Sequence, residues 1–242
     1  MICLKKLCSL SIVILFILTS FVTVYAYDLV PQEATDTEGL YSEMSFEYHS
    51  QEATGEIISI ASDNTSLIYI LKRITGEKKQ IDIYNENGIY CFSVLFETGG
   101  ACGLIEIDNK VYLYYVRGHF AFLLVDGRVS DSLYYFNDNS GRLAYANYSL
   151  NERTYSFGKI NMSSGNILLK IFRYNTKVEI ITQEENIVIC DSTKYCSNQL
   201  ITMFFLVLII LCIVITGVVY QIRIRQGVRQ GTVLCLDERE QK

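Results

Sequence analysis

The residues that could do chemistry in this chain are few. Its only histidines are His49 and His119. Either can be written into a Ser–His–acid triad, but the many Ser and Asp residues nearby make such a triad undiagnostic. Glu106 and Asp108 form a carboxylate pair of the kind that hydrolyses glycans. Two apart on a strand they would share a face about 7 Å from each other. A solvent-facing Glu106 and a turn-opening Asp108 fit the same residues better. The run Gly99-Gly100-Ala101-Cys102-Gly103 leads into an apolar strand pattern, not a helix, and so reads as a turn, not a phosphate loop. Asn137-Asp138-Asn139-Ser140-Gly141 lacks the terminal acidic ligand of a calcium loop. No catalytic, cofactor-binding or metal-binding residue is assigned, and the reading is not an enzyme.

Cysteine chemistry is the remaining candidate. With no C-x-x-C pair and two histidines, a thiolate zinc site is disfavoured. Cys91, Cys102, Cys190 and Cys196 fall between two apolar runs and, in an exported domain, form an even set suited to disulfides. Four cysteines allow three pairings. Cys91–Cys102 and Cys190–Cys196 each close a short loop and are the expected ones.

The apolar runs decide the topology. Lys5 and Lys6 precede the uncharged stretch Leu10–Ala26, which ends in Val24-Tyr25-Ala26. A basic start, a short apolar run and small residues are the marks of a secretory signal peptide, expected over residues 1–26. The run Leu200–Tyr220 has 21 residues and no charge. As a helix it is about 30 Å long, the thickness of the hydrocarbon core. Arg223, Arg225 and Arg229 follow it, against Lys194 alone on the other flank, and cationic residues favour the cytoplasmic side. The expected organisation is a signal peptide, an acidic lead-in (27–55), an extracytoplasmic domain (56–198), a transmembrane helix (200–220) and a short cytoplasmic tail (221–242). Localisation is the cell membrane, single-pass, with the N-terminal domain outside. Gly227 and Gly231 argue against a continuous helix in the tail.

The outer segment, residues 27–199, carries 14 basic and 23 acidic residues. Eight carboxylates lie between Asp28 and Glu56 with no Lys or Arg before Lys72, which reads as a solvated linker. Such a surface disfavours nucleic acid and anionic headgroups. Beyond Glu56 the chain is a series of short β-branched and aromatic runs separated by Asp, Asn and Gly turns. Ile81-Asp82-Ile83 and Ile105-Glu106-Ile107 show the period of half-buried strands. Strands are also expected over Arg142–Tyr148, Thr154–Ile160 and Asn166–Arg173, and the domain is all-β.

Tyr69, Tyr112 and Tyr155 recur at intervals of 43 residues, each read in the second strand of a unit. Four antiparallel strands per unit is the period of a propeller blade. In period and strand order the segment Glu56–Cys190 resembles extracellular β-propeller-like repeats of the NHL or YWTD type, though their signature residues are absent. The resemblance implies an antiparallel meander, with Met44–Tyr48 and Asn186–Cys190 contributing to a fourth blade. Two sheets packed as a sandwich use the same strands. The function expected is a membrane-anchored, non-catalytic binding domain with a protein partner or self-association and no cofactor. An accessory or sensor subunit acting through its span ranks second, and a surface hydrolase third.

Overall fold

The computed structural model describes residues 31–34, 45–137, 141, 144, 147, 150–183 and 185–240, with side chains through residue 222. The expected signal peptide and about half of the lead-in lie outside them. β1 (Gln32–Glu33) and β2 (Glu47–His49) are short edge strands. A first meander follows: β3 (Glu56–Ser62), β4 (Ile68–Thr75), β5 (Lys78–Tyr84) and β6 (Tyr90–Glu97). The second is β7 (Cys102–Ile107), β8 (Lys110–Tyr115), β9 (Phe120–Val125) and β10 (Arg128–Tyr135). The third is β11 (Glu152–Tyr155), β12 (Gly158–Ser163), β13 (Lys177–Ile181) and β14 (Asn186–Asp191), with the short helix α1 (Ile167–Ile171) between β12 and β13. Helix α2 (Thr193–Glu240) ends the described chain.

All pairings are antiparallel and sequential within each meander. β2 extends the first sheet beyond β6, and β1 extends the second beyond β10. The first sheet is central and buried on both faces. Tyr69, Leu71, Ile81 and Ile83 pack against Leu104, Leu113, Phe122 and Leu124 of the second sheet. Ile60, Ile68 and Ile70 pack on the other side against Ile160, Met162, Val178 and Ile180 of the third. Successive strand residues point to opposite faces. A strand covered twice must therefore be apolar at every position, which is why Ile68-Tyr69-Ile70-Leu71 reads as an unbroken run. Each such side chain contributes about 1.5–3 kcal/mol by leaving water. The sheets do not close into a barrel or propeller among the described residues.

Several sequence expectations are corrected. Gly141, Ala144 and Asn147 are helical, not part of a strand, and Ala144 is buried beside Tyr114 and Phe136. Thr154–Ile160 is not one strand but the β11–β12 hairpin. Asn166–Arg173 is α1: the Asn166 side chain caps it by accepting from the Leu169 N–H at 2.9 Å. Arg173, at φ 60°, closes its end, with the Tyr174 N–H donating to the Leu169 carbonyl. The β-branched isoleucines at its ends disguise good helix formers at Leu168, Leu169 and Lys170. The lead-in is not simply solvated, since it supplies β1 and β2. The expected contributors to a fourth blade instead join the first and third sheets. α2 runs through Gly227 and Gly231, because two glycines cost only about 1 kcal/mol each against the flanking helix formers.

Candidate functional site

The most unusual chemistry in the fold is an ionic centre on the face of the first sheet that meets the third. β4 and β5 place Lys72 and Asp82 on that face, through the pairings Ile70↔Asp82 and Lys72↔Gln80. Both side chains are fully buried, and Lys72 Nζ lies 2.6 Å from Asp82 Oδ2. Its other donors reach the Ala53 carbonyl at 2.8 Å and Glu52 Oε1 at 3.1 Å, which completes the three an ammonium offers. Gln80 Nε2 donates to Asp82 Oδ1 at 2.6 Å and to the Gln51 carbonyl at 2.8 Å. The Tyr84 hydroxyl donates to Glu52 at 2.5 Å. Burial alone would depress the Lys72 pKa, but the Cys190 sulfur and the Asp82 carboxylate overcome it and raise it. Burial and the bond to Glu52 push the Tyr84 phenol far above its usual range. A lysine held charged and saturated with acceptors is no nucleophile. This centre clamps the backbone of residues 51–53 onto the first sheet.

Next to it the domain meets its apolar helix. Only Ser192 separates β14 from α2, and it is buried. Its N–H donates to the Thr176 carbonyl at 2.7 Å, and its hydroxyl accepts from the Gly55 N–H at 3.3 Å. Asp191 accepts from the Thr193 N–H at 2.9 Å, satisfying one free donor of the helix start. Cys196 is buried in the first turn. Among the described residues one helix is long and apolar enough to cross a membrane, Thr193–Ile222, and from Ile201 to Ile222 every residue of it is exposed. A cleft of about 580 Å³ runs between the β4–β5 hairpin and the start of α2, from Arg73 and Gly76 to Leu200 and Met203. Arg73 pairs with Glu56 at 3.1 Å on its wall.

At the opposite end of β4, about 25 Å away for eight residues, three hairpin turns converge. Asp108-Asn109 and Asp126-Gly127 have positive φ throughout, the conformation two-residue hairpins need. Tyr69 locks two of these turns together. Its hydroxyl donates to Asp63 Oδ2 at 2.6 Å and accepts from the Gly127 N–H at 3.0 Å. The Asn64 N–H bonds the Asn109 carbonyl at 3.1 Å and brings in the third. A shallow hollow of about 200 Å³ lies between them, bordered by Asp63, Lys110, Val125 and Asp126. Asn64, Val125 and Asp126 are exposed. Loops fixed on a rigid sheet are a common seat of recognition.

The residues singled out from sequence are scattered over these regions. Tyr112 is buried on the face of the second sheet remote from the first. Tyr155 ends the first strand of its sheet instead of lying in the second, because Gly141, Ala144 and Asn147, where an earlier strand is expected, are helical. Its hydroxyl donates to Glu106 Oε2 at 2.8 Å, so Glu106 joins two sheets and is half-buried, not freely solvated. Asp108 does form a turn. His119 sits in the β8–β9 turn, 2.8 Å from the Tyr114 hydroxyl, and His49 lies 3.5 Å from Glu47 on an exposed edge. Cys91, Cys102, Cys190 and Cys196 are free thiols, so neither expected disulfide is present. Cys91 is exposed at the start of β6, whereas Cys102 is buried in the core, where burial pushes its thiol up to about 11. Among the described residues no three His, Cys, Asp or Glu side chains form a metal-binding group. Arg223, Arg225 and Arg229 lie within α2. Sequence reasoning missed Lys72 and Asp82. Their signal was a charged residue directly after the unbroken run Ile68–Leu71, and another between Ile81 and Ile83. Comparison with protein-family models, with curated proteins and with solved structures finds no match.

Proposed function

We propose that the chain is a single-pass membrane protein whose propeller-like outer domain is a non-catalytic binding module for a protein partner. The joint at Ser192 carries this reading. The domain is fixed to an exposed apolar helix without a flexible linker, and its locked hairpin turns lie at the other end, facing away from the bilayer. The three meanders support the propeller-like description, since β3 of the first sheet packs against both β7 and β12. The outer side holds the domain, and the Arg223–Arg229 side of α2 lies in the cytoplasm. The test places a photo-crosslinking residue at Val125 in the full-length chain in its native membrane. One discrete adduct, lost when Asp63 and Asp126 are changed to Lys, supports the reading. An adduct with a second copy makes the partner the chain itself. No adduct from Val125 or from Asn64 refutes it.

A second reading, an accessory subunit that acts through its helix, is favoured by the same joint. A rigid connection transmits tilt and rotation, which a flexible one absorbs. Insertion of a Gly-Ser segment between Ser192 and Thr193 that left the partner's activity unchanged would remove this reading while leaving the first intact.

A further inference from the structure

The short helix α1 exposes more apolar surface than the packing of the domain explains. Ile167 is 78 % exposed, Ile171 70 % and Phe172 54 %, while Leu169 alone is buried and anchors the helix. At 100° per residue, 167, 168, 171 and 172 fall on one face, with Leu169 turned away from them. Lys170 borders that face, Arg173 follows the end of the helix, and both are exposed.

The position of this face identifies what covers it. Asn166 Nδ2 donates to Ser197 Oγ at 2.8 Å. Gly165, at φ +57°, touches the Thr193 side chain so closely that a Cβ would collide with it. α1 is therefore docked on the first turns of α2. Ser197 precedes the apolar run at Leu200 by three residues, about 4.5 Å of helix rise. The polar zone on each side of a bilayer is about 5–7 Å deep. If α2 spans, α1 lies in that zone.

We propose that α1 is an interfacial anchor: Ile167, Ile171 and Phe172 insert into the outer leaflet, and Lys170 and Arg173 meet lipid phosphates. The arrangement is that of an in-plane apolar helix with snorkelling basic side chains. Together with the Ser192 joint it gives the domain a second point of attachment and fixes its tilt. The inference rests on the spanning of α2, and the experiment separates the two.

The chain contains no tryptophan, so single substitutions give unique fluorescence signals. Phe172→Trp, Ile171→Trp, Ile215→Trp and Val125→Trp are made in the full-length chain and reconstituted in phosphatidylcholine vesicles. Brominated phosphatidylcholine is expected to quench positions 172 and 171 several-fold more than position 125, and aqueous acrylamide to do the reverse. Quenching of Ile215→Trp by brominated lipid, with Phe172→Trp and Ile171→Trp open to acrylamide, overturns the anchor and leaves the span standing. Absence of lipid quenching at position 215 overturns both.

Discussion

Replacing Lys72 by Met removes the cation paired with Asp82 and keeps most of the buried stem. Asp82, fully buried, is left with Gln80 Nε2 and the Ala53 N–H, neither of which carries charge. Breaking a buried pair by removing one partner costs about 3–5 kcal/mol. For a domain of this size that corresponds to a fall in Tm of about 6–20 °C, at about 2–4 °C per kcal/mol. Asp82→Leu should cost less, because Lys72 keeps Glu52 at 3.1 Å. The double variant Lys72→Met/Asp82→Leu should recover much of the loss, since two apolar side chains replace two charges. The pH dependence has a definite sign. Burial raises the Asp82 pKa, and Lys72, ahead of the bonds from Gln80 and the Ala53 N–H, opposes it, so in Lys72→Met the largest opposing cause is gone and the rise grows. A folded pKa raised above the unfolded value of about 3.9 favours the protonated folded state. The deficit must then shrink as pH falls toward that value. Circular dichroism of the full-length protein in detergent, melted at several pH values, reads all four chains. Equal, pH-independent losses under about 1 kcal/mol in the two single variants would show that Asp82 is not an uncompensated buried charge.

Three further outcomes are expected. Lys72 and the phenols of Tyr69, Tyr84, Tyr115 and Tyr155 have raised pKa values in the folded state. Their stability is complete below their unfolded pKa values, about 10, and is lost as pH rises further. Phenolate absorbance from these tyrosines should appear only with unfolding, and titration at about pH 10 with the fold intact would contradict their burial. Gly127 has φ +79°, and a Cβ there would lie 2.5 Å from the Phe92 ring. Gly127→Ala should therefore cost about 1–3 kcal/mol in a thermal melt, and an unchanged melting temperature would count against the locked turn. A maleimide should modify Cys91 in the native protein and spare Cys102 until denaturation. A Cys91–Cys102 linked peptide found by mass spectrometry under non-reducing conditions would refute that separation.

The order of antiparallel strands and the apolar helix were legible in the sequence because both follow from local periodicity. Alternation at Ile81–Ile83 and Ile105–Ile107, two-residue turns such as Asp126-Gly127, and an uncharged run after Cys196 need no knowledge of distant residues. Near α1 the same reasoning failed. Isoleucine and phenylalanine suit a strand or a helix, and the decision came from the Asn166 cap and from docking on Thr193 and Ser197. The three tyrosines at regular spacing are chemically alike in sequence, yet only packing made Tyr69 a clamp on the turns and Tyr155 a tie to Glu106. The ionic centre was equally hidden. Lys72 and Asp82 are ordinary exposed residues by type, and they become a buried pair only because the third sheet covers the second face of the first. Composition and period thus determined the elements and the helix, while the long-range stacking of three sheets decided which polar groups are sealed in and which face meets the outside.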